Sequence, residues 1–234
     1  MIEAVPFSSL GRMDIDWLSA RYHFSFAYYF DPSRLGFGPL RVINDDTIKA
    51  HSGFDPHGHR DMEIITYIRE GAITHEDSYG NQGRIEAGDV QVMSAGTGIQ
   101  HSEWNHEDER TLLYQIWIEP AQNGIEPRYA EARFPKESRS GKLVTLASGR
   151  DRDKDADVLP INQDAALLAA TVKAGDSLTH DLGGDRRAYI LLPRGKLALN
   201  GTALGARDGA KAEKTDRIEM KAEEDSEVLL IDLP

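Results

Sequence analysis

Gly53-Phe-Asp-Pro-His57-Gly-His59-Arg-Asp-Met-Glu63-Ile-Ile-Thr-Tyr-Ile-Arg-Glu-Gly71 is the segment on which the reading of this chain turns. Its second half is rich in β-branched residues and apolar on both faces. That predicts a central strand, closed by Glu70-Gly71. Its first half carries two histidines at i and i+2. Side chains of an extended chain alternate between faces, so His57 and His59 point the same way, and Glu63 joins them if the pleat is unbroken. Imidazole and carboxylate on one face are ligands for first-row metals.

The flanking sequence repeats this strand rhythm. Residues 23–30, with five aromatics ahead of Asp31-Pro32, predict a strand ending in a turn. Residues 40–46, 90–93, 99–104 and 112–118 predict further strands, and residues 75–81 carry the turn chemistry of a hairpin. Short strands every 8–12 residues, separated by Gly, Asp and Asn, indicate an all-β sandwich or barrel. Residues 134–142 are polar and predict a linker. The second half resumes with strands at 143–147, 189–195, 196–200 and 226–233, and Asn200-Gly201 is a strong hairpin signal. Residues 165–173 suit a helix as well as a strand, and the charged run 149–157 predicts a solvated loop. The chain therefore reads as two β-barrels in tandem, the second without a metal site: an N-terminal domain over 1–134, a linker over 135–142 and a C-terminal domain over 143–234.

Composition narrows the function classes. The net charge of −12 over 234 residues disfavours a phosphate backbone as partner, so nucleic acid is not expected, while a protein partner stays open. With no cysteine, thiolate ligands, disulfides and a cysteine nucleophile are excluded. The longest nearly apolar run, residues 165–172, is too short to span a bilayer. The first ten residues lack a signal-peptide pattern, and a cytoplasmic location is the default expectation. No Gly-x-Ser-x-Gly elbow appears, and Gly96-Thr-Gly98 lacks the third glycine and helix of a dinucleotide loop.

Six of the eight histidines lie between residues 51 and 106. Among them His101 and Glu103 form a second i, i+2 pair. Two strands that each project two ligands inward would make a four-ligand site inside a barrel. Three neutral imidazoles and a carboxylate suit Fe(II), and also Mn, Ni, Cu or Zn. Phe24, Phe26, Met62 and Met93 are candidates for apolar lining.

At this point the sequence resembles a known family. Gly53-x3-His57-x-His59-x3-Glu63-x7-Gly71 is similar to the first motif of the cupins. Gly88-x5-Ser94-x-Gly96-x4-His101-x3-Asn105 is similar to the second, with Ser94 where a proline is usual. More narrowly, residues 23–120 resemble the pirins, bacterial pirin-like proteins most of all, through His23-Phe-Ser-Phe-Ala27, Leu40-Arg-Val-Ile-Asn-Asp-Asp46, His59-Arg-Asp-Met-Glu63, His75-Glu-Asp-Ser78, His101-Ser-Glu103 and Gln115-Ile-Trp-Ile118. One departure is Gly58, where pirins usually carry proline.

The resemblance implies a bicupin with metal only in the N-terminal barrel. It assigns the ligands to His57, His59, His101 and Glu103 and moves Glu63 beside them, where it would orient an imidazole N–H. It also implies a quercetin 2,3-dioxygenase activity, in which a flavonol ring is opened by dioxygen with release of carbon monoxide. Glu103 is then the candidate base and Glu63 the second. Two rival readings are a metal-containing regulatory protein without turnover and a redox-neutral isomerase or hydrolase using metal-bound water.

Overall fold

The computed structural model describes residues 1–183 and 185–234. The chain forms two compact units, Gly11–Phe134 with Leu159–Gln163, and Met1–Leu10 with Pro135–Val158 and Asp164–Pro234.

The N-terminal unit holds β2 (Gly11–Asp14), β3 (Leu18–Tyr22), β4 (Leu40–Ile48), β5 (Ser52–His59), β6 (Glu63–Glu70), β7 (Ala72–Asp77), β8 (Gln82–Glu86), β9 (Val90–Ser94), β10 (Ile99–Asn105), β11 (Thr111–Ile118), β12 (Arg128–Ala132) and the short β14 (Leu159–Pro160). Seven strands form a sheet of order β12-β9-β6-β11-β4-β3-β2, and four form a second of order β5-β10-β7-β8. Inward side chains of both sheets meet in one core, with Leu18, Ile48, Ile68 and Leu113 from the first facing Ile73 and Ile85 from the second. As its two apolar faces require, β6 is central, between β9 and β11.

The C-terminal unit repeats the plan with β1 (Ile2–Val5), β13 (Val144–Ser148), β15 (Ala166–Val172), β16 (Ser177–Asp181), β17 (Arg187–Arg194), β18 (Lys196–Leu199), β19 (Thr202–Gly205), β20 (Gly209–Glu213), β21 (Arg217–Ala222) and β22 (Ser226–Leu233). Its sheets run β1-β20-β17-β22-β15-β13 and β16-β21-β18-β19. Its core is aliphatic, with Leu168, Ile190 and Leu230 against Leu197, Ile218 and Met220. The all-β, two-barrel architecture expected from the strand rhythm is the one found.

Several local expectations change. Residues 1–10 pack with the C-terminal unit, because β1 pairs with β20 in the register Ile2↔Ala212. Residues 135–142, read as a linker, belong to that unit as well, and Arg139 within them is fully buried. Residues 165–173 give a strand: β15 is paired on both sides, by β13 and β22, and ladder pairing overrides the helix propensity of alanine. The charged run 149–157 is not wholly solvated, since Arg150 is buried against Asp153 and Asp232. The aromatic stretch 23–30 is no strand. Ala27, at φ 51°, closes a tight turn in which Phe26 and Tyr29 exchange both backbone hydrogen bonds. Asn200 (φ 46°) and Gly201 (φ 83°) close the β18–β19 hairpin as their sequence requires.

Candidate metal centre

Strands β5 and β10 run antiparallel with His101 opposite His57 and Ile99 opposite His59. This register brings three imidazoles from two strands together. One ring nitrogen of each of His57, His59 and His101 lies within 4.8 Å of the others. The ladder then shifts, so that Glu103 faces Phe54. Gly53 sits beside this irregularity because the strands approach too closely for a side chain. A Cβ there would collide with the Glu103 carbonyl oxygen and the Trp104 Cα. At Gly58 a Cβ would meet only ordinary contacts, 3.8 Å or more away. The missing proline therefore leaves the histidine pair in place.

The ring nitrogens are sorted by their hydrogen bonds. His57 Nδ1 donates to the Asp55 carbonyl at 2.8 Å, which leaves Nε2 as its lone-pair nitrogen. His59 Nε2 and His101 Nε2 are buried with no hydrogen-bond partner among the described residues. Such orphaned acceptors are costly unless something else binds them, and three converging lone pairs fit a divalent ion. Burial, then repulsion from neighbouring histidines, holds His101 down to about 3 and His59 down to about 4, so both rings are neutral and able to ligate.

Glu103 is buried in the same interior but lies outside the tight imidazole cluster. Both its oxygens accept hydrogen bonds. Gln115 Nε2 donates to Oε2 at 2.6 Å, while Gln91 Nε2 at 3.2 Å and Thr66 Oγ1 at 3.4 Å donate to Oε1. Trp117 Nε1 donates to Gln115 Oε1 at 3.0 Å, which fixes the Gln115 amide so that its NH2 faces the carboxylate.

Glu63 does not join the imidazoles. Asp61, at φ 47°, breaks the pleat after His59, and Glu63 starts β6 in the other sheet. There it pairs with Ser94, three residues from the Thr66–Gln91 pair, so it faces away from Glu103. Ser94 Oγ donates to its Oε2 at 2.7 Å. Burial raises its carboxyl above the ordinary range, against hydrogen bonds from Ser94 and the Asn162 backbone and the nearby Arg128 charge. No histidine is among these partners.

The site opens on a cavity of about 290 Å³. Phe26, Phe54, Tyr22 and Trp117 supply aromatic walls, and His57, His59 and Glu103 lie along one side. The Trp117 ring stands edge-on to His59 at 4.9 Å and to Phe26 at 5.4 Å. Of the residues expected as lining, Phe26 is there. Met62 and Met93 instead pack with Ile64 and Ile99 in a separate cluster, and Phe24 is fully buried.

Other residues of the site escape a reading of spacing alone. His75 Nδ1 lies 3.3 Å from His101 Nδ1, and its ring stacks on Tyr129 at 4.4 Å. Asn44 and Asp46 on β4 line the cavity. Burial, then the charges of Asp45 and Glu103, pushes the Asp46 carboxyl well above its ordinary range. The signal for these residues is polarity inside apolar strands, and it acquires meaning only once the pairing is known.

Fold and site together define a bicupin whose N-terminal barrel carries a three-histidine centre. The Pirin family model matches residues 6–118, and a quercetinase C-terminal cupin domain model matches residues 145–233. A pirin-like protein of Caulobacter vibrioides is 53% identical over 232 residues, 99% of each chain. A quercetin 2,3-dioxygenase of Escherichia coli K12 is 43% identical over 226 residues, 96% of this chain and 95% of that one. Among solved structures, the bacterial pirin YhhW of Escherichia coli in complex with nickel(II) superimposes with a TM-score of 0.93 at 41% identity, covering 100% of this chain and 99% of that one. The chain belongs to the pirin family.

Proposed function

We propose that this protein is a metal-dependent dioxygenase of the pirin type that opens a flavonol such as quercetin with dioxygen and releases carbon monoxide. The observation that carries the reading is the three-imidazole cluster, with its unpartnered buried nitrogens, beside an aromatic-walled cavity large enough for a small planar ligand. The names borne by the relatives support it.

His57, His59 and His101 hold the ion, and Glu103 is the fourth donor. Fe(II) is the ion we assign, with Mn, Ni, Cu and Zn compatible with the same donors. Once bound, a divalent ion supplies Lewis acidity toward a hydroxyl oxygen and, if redox-active, one-electron chemistry toward dioxygen.

The protein's own groups do the rest. The aromatic walls bind and orient a flat substrate and keep water from it. Gln91, Thr66 and Gln115 hold the Glu103 carboxylate in one orientation. Glu103 takes the proton of the substrate hydroxyl on the Oε2 lone pair that Gln115 leaves free. The reaction takes place in the cytoplasm on this reading.

The test is metal analysis of the purified protein coupled to loss of quercetin absorbance with and without dioxygen. Dioxygen-dependent loss with carbon monoxide release is expected. Turnover that persists anaerobically with Zn(II) would point instead to a redox-neutral enzyme. A metal-loaded protein that consumes neither quercetin nor dioxygen would leave a regulatory protein.

A further inference from the structure

The cavity has a second polar feature besides the metal centre. On β4, Asp45 turns to the outer face, where Arg69 Nη1 donates to its Oδ1 at 2.6 Å. Its neighbours Asn44 and Asp46 therefore share the opposite face, and both line the cavity. They are 4% and 3% exposed. Asn44 Oδ1 and Asp46 Oδ1 are buried with no hydrogen-bond partner among the described residues. Native interiors rarely leave such acceptors unpaired, and exceptions call for an explanation.

Glu103, the other acid of the cavity, differs: Thr66 and Gln91 donate to its Oε1, and Gln115 takes one lone pair of Oε2, which leaves only the other for the ion or the substrate proton. Unused accepting capacity is thus concentrated at Asn44 and Asp46. Around them the wall is apolar, from Leu18, Ala20, Phe26 and Phe54. A ligand that satisfies all of this has a flat apolar body and O–H donors.

We infer that Asn44 and Asp46 form a hydroxyl-accepting subsite, which selects polyhydroxylated aromatic ligands over those carrying only the metal-binding oxygens. This rests on the flavonol reading and adds to it the part of the substrate that is recognised. A site built to hydrogen-bond a hydroxyl discriminates against an analogue lacking it, because its own buried groups are then left unpaired.

The probes are quercetin and 3-hydroxyflavone. The second keeps the hydroxy-ketone that faces a metal and lacks the other hydroxyls. Dissociation constants are measured anaerobically on the metal-loaded full-length protein, so that turnover does not enter. Quercetin is expected to bind the wild type tighter by about tenfold or more. In Asn44→Leu and Asp46→Leu the ratio of the two constants should fall toward one, whereas Asp46→Asn, which keeps an acceptor oxygen, should retain most of it. Metal content and circular dichroism confirm that each variant is folded, and if Asp46→Leu does not fold, Asn44→Leu decides. A wild-type ratio near one, or an unchanged ratio in the folded leucine variants, overturns the subsite and leaves the flavonol reading standing. If neither compound binds, the flavonol reading fails and the subsite fails with it.

Discussion

The Nδ1 atoms of His75 and His101 stand 3.3 Å apart inside the N-terminal unit, and His75 Nε2 lies 3.4 Å from Asp77 Oδ2. One proton arrangement satisfies the whole chain. Nε2–H of His75 donates to Asp77, its Nδ1 then accepts from His101 Nδ1–H, and the lone pair of His101 is left on Nε2. Asp77 can play its part because it stays charged. Burial opposes this, but hydrogen bonds from Asn81 and Tyr79 outweigh it and hold the carboxyl below its usual range. Partners of this kind orient metal-bound imidazoles.

His75→Phe should keep the stacking on Tyr129 and lose the hydrogen bond to His101. Metal affinity is expected to fall by about 10- to 100-fold. Competition with a chelator of known affinity measures it, and an unchanged affinity would show that His75 does not position His101.

Removing a ligand itself is more severe. His57→Ala deletes one of the three converging nitrogens and leaves His59 and His101 with Glu103, which lies outside the tight imidazole cluster, so the ion is held far more weakly. Purified His57→Ala should carry almost no metal and no dioxygen-dependent activity. Full occupancy by elemental analysis would sink the ligand assignment.

The neutral histidines also set a pH dependence in the metal-free protein. His101 and His59 are held at about 3 and about 4, against an ordinary value of 6.5. Between these limits the unfolded chain binds protons that the folded one refuses. Stability is therefore lost as pH falls from about 6.5 toward 3. Metal-free His101→Leu should lose less stability over that interval than the wild type. Thermal melts of both from pH 7.5 to 4 give the difference, and parallel curves would contradict it.

Much of this was legible in the sequence, for physical reasons. Period-2 patterning and turn residues give the strands, and the i, i+2 spacing gives His57, His59 and His101, because both are local properties of an extended chain. Glu63 misleads for the same reason: the argument needs an unbroken pleat, and the positive φ at Asp61 breaks it. Gln91 and Gln115 read only as polar residues within apolar strands. Their role depends on β9, β10 and β11 converging on one carboxylate, which no local pattern encodes. The placement of residues 1–10 is equally non-local, resting on the pairing of β1 with β20.

In the C-terminal unit Asp232 is fully buried among three arginines and a histidine. Arg150, Arg152 and His180 contact its Oδ2 at 2.6, 2.9 and 3.1 Å, and Arg186 contacts Oδ1 at 2.7 Å. Asp232→Ala leaves Arg150, itself 5% exposed, with Asp153 alone as its carboxylate partner, and takes the buried carboxylate from Arg152 and Arg186 as well. The expected loss is about 3–5 kcal/mol, read by denaturant unfolding. A loss below about 1 kcal/mol would mean that solvent reaches these arginines in place of the carboxylate.

The two glutamates of the cupin motifs give the sharpest contrast. Both are buried, and each takes a side-chain hydrogen bond of 2.6 or 2.7 Å. They differ in what they face: Glu103 lines the cavity beside His57 and His59, whereas Glu63 is held by Ser94 on the other side of the β6 sheet. Glu103→Gln removes the proton acceptor and the carboxylate donor. It should lower turnover by about 100-fold or more, the range of general-base contributions, and weaken metal binding. Glu63→Gln keeps an acceptor for Ser94 and touches neither imidazoles nor cavity. Its metal content and turnover should stay within about twofold of wild type, since nothing that ligates or abstracts a proton is altered. Elemental analysis and single-turnover rates on both variants decide the matter. Loss of metal from Glu63→Gln would return that carboxylate to the ligand set, and full activity in Glu103→Gln would remove Glu103 from the chemistry.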